Sequence, residues 1–116
     1  MRTIKLRGSF NGRKIWLVRT ADEEPREAWY CGYVEIKLTD QIAWQDLGGQ
    51  IDVNANLIYD PSMAKLAEDP NNAYIRFDTC HLADVNNRDS FQFACHELIK
   101  LMYQIDNLNK REEYRK

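Results

Sequence analysis

The feature that most constrains the fold is a long apolar stripe near the C-terminus of the chain. Apolar residues recur there every three or four positions, directly after Asp89 and Ser90, either of which can cap a helix. This spacing predicts a single amphipathic helix, because residues three and four apart lie on one helix face. The stripe consists of Phe91, Ala94, Cys95, Leu98, Leu101, Met102, Ile105 and Leu108.

The first twenty residues have the pattern of a β-hairpin. Ile4 and Leu6 alternate with basic residues, and the return run 15–18 is apolar on both faces. Asn11 and Gly12 lie between the two runs, and this pair accepts the positive φ angles of a type I′ turn. The sequence therefore predicts that the chain begins with a two-stranded hairpin.

Further strands precede the C-terminal helix. Residues 29–38 alternate as a strand that is partly covered on both faces, and residues 73–78 form another strand pattern. Weaker patterns predict a helical turn within 39–50, a strand pair within 51–59 and either a short helix or an ordered loop within 61–70.

Strands followed by a helix predict an α+β fold, in which a mainly antiparallel β-sheet with an N-terminal hairpin is packed by one long C-terminal amphipathic helix. A chain of 116 residues fits one domain. We expect residues 1–109 to form that domain. Residues 110–116 have mixed charge and are expected to form a frayed tail.

The composition restricts the class of partner. The net charge is -2 and the isoelectric point is near 5.7, so there is no basic field to attract nucleic acid or an anionic membrane. The three cysteines are an odd number without Cys-x-x-Cys spacing, which favours a reducing compartment. The N-terminus lacks the apolar run of a signal peptide. These observations predict a cytoplasmic protein.

The densest group of polar residues follows the strand at 73–78. Asp78 and Asp84 flank His81 at equal spacings of three residues. Carboxylate and imidazole ligands together suit Mn²⁺, Zn²⁺ or Fe²⁺, and the same trio would also serve as a carboxylate-oriented histidine base. The structural alternative is that both aspartates cap turns while His81 bonds a backbone carbonyl.

Two other patterns offer weaker sites. The dipeptides at 80–81 and 95–96 each join a cysteine to a histidine, but Cys95 lies on the apolar stripe while His96 points about 100° away from it. A four-ligand zinc site is therefore disfavoured. Gly48 and Gly49 precede a strand pattern, which is typical of a bulge, although such a pair also lets a ligand approach the backbone closely.

Several of these motifs occur together in a known protein family. They are Cys-Gly-Tyr-Val at 31–34, Gly-Gly at 48–49 and Phe-Asp-x-x-His-x-x-Asp at 77–84, followed by the helix. Over about residues 29–107 the chain resembles a family of small proteins encoded by tailed bacteriophages and prophages. The resemblance implies a phage accessory protein in a bacterial host and does not imply a particular reaction.

One departure from the family pattern bears on the chemistry. Relatives carry a histidine before the paired glycines and a threonine after them, whereas this chain has Leu47 before them and Gln50, Ile51 and Asp52 after them. If that histidine completes a site in the relatives, this chain binds its ligand differently or lacks the chemistry.

Two functional hypotheses follow from the sequence. The first is a non-enzymatic accessory protein that binds a host protein or a small ligand, for example to counter a bacterial defence system. Its recognition surface would contain Asp78, His81, Asp84, Gly48, Gly49 and Tyr33. The second is a small metal-dependent hydrolase that uses Asp78, His81 and Asp84 as ligands for a divalent metal. The chain is expected to be a monomer or a homodimer.

Overall fold

The computed structural model describes residues 1–22, 27–37, 56–59 and 73–114. The strands are β1 Arg2–Phe10, β2 Arg13–Asp22, β3 Glu27–Ile36, β4 Asn56–Tyr59 and β5 Ala73–Asp78. The helices in the described part are α1 Val85–Arg88 and α2 Phe91–Tyr114.

The described strands form one antiparallel sheet in the order β1-β2-β3-β5-β4. Helix α2 packs across β3 and β2. This architecture confirms the predicted α+β fold, including the N-terminal hairpin and the long C-terminal helix. The position of β5 beside β3 matters for the site, because it brings Asp78 opposite Cys31 and Phe77 opposite Gly32.

The turn between β1 and β2 has the predicted chemistry. Asn11 has a φ of 51° and Gly12 a φ of 75°, and Phe10 pairs with Arg13 on either side of them. Two consecutive positive φ angles are the mark of a type I′ turn. Further along the hairpin the register shifts between Ile4 and Leu6, so β1 carries a bulge at Lys5.

Both faces of the sheet are buried. The helix-side face carries the main core, which includes Leu17, Val34 and Phe77 packed with the apolar stripe of α2. The opposite face, called here the second face, carries a separate cluster of Trp16, Val18, Cys31, Tyr33 and Tyr74. Strand β3 is consequently buried over the six consecutive residues 30–35. This explains its apolar alternation on both sides, as the sequence predicted.

The long helix begins where its cap was predicted. The backbone N–H of Phe93 donates to Ser90 Oγ at 3.1 Å, which is an N-cap interaction at the third helical position. Helix α2 continues to Tyr114 and therefore includes part of the predicted tail. The fraying of residues 110–116 stays a prediction. Among the described residues, no helix is long and apolar enough to cross a membrane.

Several expectations fall on parts of the chain that the structure does not describe. They include the helical turn within 39–50 with Gly48 and Gly49, the first strand of the pair within 51–59, and the short helix or ordered loop within 61–70. The second strand of that pair is present as β4. The strand predicted at 73–78 is present as β5 with the same bounds.

Candidate metal centre

The segment that follows β5 is fixed to the sheet by Thr79. This residue is fully buried, and its Oγ1 accepts a hydrogen bond from the backbone N–H of Tyr30 at 2.9 Å. The same hydroxyl donates to the backbone carbonyl of Arg88 at 2.6 Å. Its own N–H donates to the Tyr30 carbonyl at 3.0 Å. Thr79 therefore holds Asp78 and Cys80, its two neighbours in the chain, against the end of β3.

Asp78 organises the turn that follows it. Its Oδ1 accepts hydrogen bonds from the backbone N–H of Cys80 at 3.3 Å and from the Cys80 thiol at 3.0 Å. An aspartate that bonds the backbone two residues onward forms an Asx turn. The turn brings His81 beside the other two side chains. The potential ligand atoms of Asp78, Cys80 and His81 all lie within 4.8 Å of one another. This trio is called the Asp78–Cys80–His81 cluster below.

The structure does not bring Asp84 into this cluster. Its side chain accepts a hydrogen bond from the backbone N–H of Asn86 at 2.9 Å and caps α1. The capping role that the sequence left open for Asp84 is therefore present. Of the three residues predicted as metal ligands, the structure joins Asp78 with His81 and adds Cys80.

Tyr33, a predicted partner-binding residue, lies buried on the second face. Its side chain belongs to the cluster of the second face, and its hydroxyl accepts a hydrogen bond from Arg2 Nη2 at 3.0 Å. Packing and this hydrogen bond are the roles that the structure gives to Tyr33, and its part in ligand binding stays a prediction. Gly48 and Gly49 lie outside the described residues.

Cys80 is the member of the cluster that the sequence analysis missed as a partner of Asp78 and His81. Because Asp84 follows His81 at the same spacing as His81 follows Asp78, the sequence pattern indicated Asp84 as the third ligand. The signal for Cys80 was its place two residues after an aspartate at a strand end, where an Asx turn folds the chain back. Residues two and three positions beyond Asp78 then converge on its carboxylate.

The electrostatics of the cluster favour a protonated thiol in the metal-free protein. The pKa of Cys80 is raised to about 11, first by burial and then by the hydrogen bond to the Asp78 carboxylate, which stabilises the thiol form. Burial also raises the pKa of Cys31, which pairs with Asp78 across the sheet, while the positive charge of Arg76 opposes that shift. A metal cation that binds the Cys80 sulfur and the Asp78 carboxylate would displace the proton of the Cys80 thiol.

A cleft of about 620 Å³ opens beside the cluster. Cys80 belongs both to the cluster and to the wall of the cleft. Its other walls come from the ends of β2 and β3 and from α1: Arg19, Ala21, Asp22, Glu27, Ala28, Trp29, Val85, Arg88 and Asp89. A volume of this size lies in the range of small-molecule sites, which is roughly 300–1,000 Å³.

Two contacts hold the rim of this cleft. Arg19 donates two parallel hydrogen bonds to Asp89, at 2.7 and 2.8 Å. The hydrogen bond from Arg19 keeps the pKa of Asp89 below its ordinary value. Arg88 Nε donates to the Leu82 carbonyl at 2.6 Å and so joins α1 to the turn that carries the cluster. The cleft and the cluster therefore share one scaffold.

The donor set fits a first-row divalent metal of the zinc class. Around a tetrahedral Zn²⁺ with bonds of about 2.0–2.3 Å, ligand atoms lie about 3.3–3.8 Å apart. The cluster atoms, within 4.8 Å of one another, need a closure of about 1.5 Å at most to reach that spacing. His81 is exposed and therefore free to complete this movement by side-chain rotation. Three such ligands leave one coordination position open.

The raised pKa of Cys80 leads to a measurable prediction. We expect iodoacetamide to alkylate Cys80 slowly at neutral pH and progressively faster up to a pH near 11, because only the thiolate reacts. Asp78→Asn should accelerate the reaction at pH 8 severalfold, since it removes the charge that opposes thiolate formation. Peptide mass mapping would follow Cys80 separately from the other cysteines.

The control for this experiment is Asp84→Asn, which retains the cap of α1 and should leave the rate at Cys80 unchanged. Alkylation of wild-type Cys80 at pH 7 as fast as that of an unfolded cysteine peptide would contradict the Asp78–Cys80 contact.

Comparison of this chain with models of known protein families, with curated proteins and with solved structures found no match in any of the three. The resemblance to phage proteins therefore stays an interpretation of the sequence motifs. The chemistry of the cluster and of the cleft beside it is the remaining guide to function.

Proposed function

We propose that this chain is a non-enzymatic binding protein that holds a divalent zinc-class metal at the Asp78–Cys80–His81 cluster. The metal and the adjacent cleft together receive a donor group from a small ligand or from a host protein. This proposal rests on the convergence of a carboxylate, a thiol and an imidazole within 4.8 Å of one another. They lie at the end of β5, which Thr79 holds against β3. Mixed oxygen, sulfur and nitrogen ligands favour Zn²⁺ over Mg²⁺ or Ca²⁺.

The open coordination position supports a binding role. A closed structural zinc site uses four protein ligands, whereas three ligands leave a place for water or for a donor from a partner. Cys80 borders the cleft, so a ligand that enters the cleft approaches the metal from that side. Asp78 and Cys80 are held by Thr79, which means that binding needs little rearrangement of the backbone.

The biological setting of the proposal rests on the sequence resemblance alone. A phage accessory protein acts inside a bacterial host, where a small binder of a host protein is suited to countering a defence system. The cytoplasm of the host is a reducing compartment, in which the thiol of Cys80 would remain available to a metal.

Titration of the metal-free protein with Zn²⁺ and Co²⁺ tests the proposal. We expect one ion per chain by calorimetry and native mass spectrometry, and a cobalt–thiolate absorption band that identifies Cys80 as a ligand. Cys80→Ser, His81→Ala and Asp78→Asn should each weaken binding by at least about 100-fold, because each removes or weakens one of three ligands. Zn²⁺ should also protect Cys80 of the wild type from alkylation.

The chain offers matched controls for these variants. Cys95→Ser, His96→Ala and Asp84→Asn change the same residue types outside the cluster, and each should bind the metal as the wild type does. Metal binding that is lost equally in both sets, or a wild type that binds no metal above the level of the Cys80→Ser variant, would refute the proposed centre.

The less favoured alternative is a metal-dependent hydrolase. The three-ligand cluster with an open position is the arrangement that such an enzyme would need. A hydrolase also needs a base that is not a ligand. Asp84 is engaged in capping α1, while Asp22 and Glu27 line the cleft without belonging to the cluster. Metal-dependent turnover of a phosphodiester or an ester, lost in His81→Ala but retained in His96→Ala, would favour the enzyme.

A further inference from the structure

We infer that the outer edge of β1 is a docking site for an extended acidic segment of a partner protein, which adds to the sheet as a further strand. This inference deepens the proposed function, because it names the chemistry of a host-protein partner. It concerns a different part of the molecule from the metal centre and does not require a metal.

Among the described strands, β1 is the edge of the sheet beyond β2, and it extends over nine residues. All of its residues are exposed except Leu6 and Phe10, which are half-buried and pack against the main core. A long, exposed edge strand presents hydrogen-bonding groups that another strand can use. Its exposure shows that the side chains of this edge are open to a partner.

The hydrogen-bond pattern identifies the groups that point outward. Met1 and Ala21 exchange two backbone hydrogen bonds, of 2.6 and 2.9 Å, so they form a hydrogen-bonded pair. Because such pairs alternate along an antiparallel ladder, Arg2 and Ile4 direct their N–H and C=O groups away from β2. A strand added at this edge would bond to these groups.

The charge of β1 selects the partner. The strand carries Arg2, Lys5 and Arg7 and no acidic residue, although the net charge of the whole chain is -2. The side chain of Arg2 extends over the second face to Tyr33, and the guanidinium of Arg7 lies 5.4 Å from the centre of the Trp16 ring on the same face. Ile4 pairs with Val18 on that face and is 43% exposed.

These positions define a recognition pattern. An added strand that places an apolar residue beside Ile4 and carboxylates beside Arg2 and Arg7 would match the edge in both polarity and charge. A second copy of the chain would instead bring the basic side chains of two β1 strands together, and like charges on adjacent strands destabilise their pairing. The basic residues and the bulge at Lys5 therefore disfavour pairing of two β1 strands. The same basic residues favour pairing with an acidic strand.

Fluorescence anisotropy tests this inference with a labelled peptide that carries glutamate, valine and glutamate at alternate positions, separated by threonine, so that these three side chains lie on one face of the added strand. The control ligand is the same peptide with lysine in place of glutamate. We expect the wild type to bind the acidic peptide, more weakly as salt rises, and not the basic one. The double variant R2E/R7E should weaken binding by about tenfold or more, whereas Lys110→Glu, an exposed charge change on α2, should not.

The backbone contribution is tested at Ile4. Ile4→Pro removes an outward N–H while leaving the pairing with β2 intact, and Ile4→Ala removes the same side chain but keeps the N–H. We expect Ile4→Pro to bind about tenfold more weakly than Ile4→Ala. Circular dichroism of both variants checks that they are folded. If Ile4→Pro is unfolded, the R2E/R7E variant still supplies an independent test.

The outcomes separate this inference from the metal centre. Cys80→Ser should bind the peptide as the wild type does, so a failure of metal binding leaves the docking result unaffected. Equal affinity for the acidic and basic peptides, or no binding to either, would overturn the inference. A dimer in light scattering that dissociates in Ile4→Pro would assign the edge to a second copy and overturn it as well.

Discussion

Asp106→Ala should destabilise the fold by about 3 kcal/mol, since removing one partner of a buried ion pair leaves the other charge buried. Arg13 has a side chain that is only 3% exposed, and its Nε lies 3.3 Å from Asp106 Oδ1. The other carboxylate oxygen of Asp106 accepts a hydrogen bond from Asn11 Nδ2 at 2.8 Å. The contact therefore fastens the hairpin turn to α2, and urea denaturation would measure its loss.

Two further variants separate the charge from the hydrogen bonds. Asp106→Asn keeps an oxygen that can accept from Arg13 and should cost less than Asp106→Ala. The double variant Arg13→Met with Asp106→Leu removes both charges, and we expect it to recover most of the lost stability, because an apolar pair avoids the desolvation cost. A double variant as unstable as Asp106→Ala would show that the lost hydrogen bonds, and not the charges, dominate, because Arg13 Nη1 also donates to the Glu35 carbonyl at 2.7 Å.

Gly32→Ala should destabilise the protein by about 2–3 kcal/mol through overpacking. A Cβ atom at Gly32 would lie 2.1, 2.3 and 2.9 Å from three atoms of the Phe77 ring. These distances are far below van der Waals contact. The ring is fully buried in the main core, so it cannot move aside without displacing its neighbours. Thermal and urea unfolding of the variant would give the magnitude.

The control for this prediction is Gly8→Ala. Nothing lies within 4 Å of a Cβ built at Gly8, which is also a strand residue, and we expect that change to be close to neutral. Combining Gly32→Ala with Phe77→Leu should cost less than the sum of the two single changes, because the smaller side chain vacates part of the space. Equal stability of Gly32→Ala and Gly8→Ala would refute the close approach of the ring.

The elements predicted correctly from the sequence are those that local rules determine. Asn11 and Gly12 form the expected turn because few residue pairs accept two positive φ angles. Ser90 begins α2 because its hydroxyl supplies an acceptor to the first helical turn. The bulge at Lys5 was not predicted, because it depends on how Leu6 packs against the main core and not on β1 alone.

The candidate site was predicted only in part. Asp78 and His81 were identified from their place at a strand end. Equal spacing along the chain favoured Asp84 as their neighbour, whereas the structure brings Cys80 beside them and has Asp84 cap α1. Spacing by three residues suits a helix, whereas this segment is an Asx turn. The pairing of Cys31 with Asp78 depends on the order of distant strands, which no local pattern indicates.

That strand pairing gives two of the resemblance motifs a physical meaning. Gly32 and Phe77 are opposite each other in the sheet, and the missing side chain of the glycine makes room for the phenylalanine ring. Their neighbours Cys31 and Asp78 pair in the same register. The two motifs therefore describe a single packed unit at the base of the cluster.

A sheet buried on both faces also determines which positions of the chain tolerate substitution. Along residues 30–35 of β3 every substitution meets packed atoms on one side or the other, so most changes there reduce stability. The turn with His81 and the outer edge of β1 lie at the rim, where side chains are exposed. Substitutions at this rim are therefore expected to cost less stability than substitutions within residues 30–35, so the surfaces proposed for binding can be altered without loss of the fold.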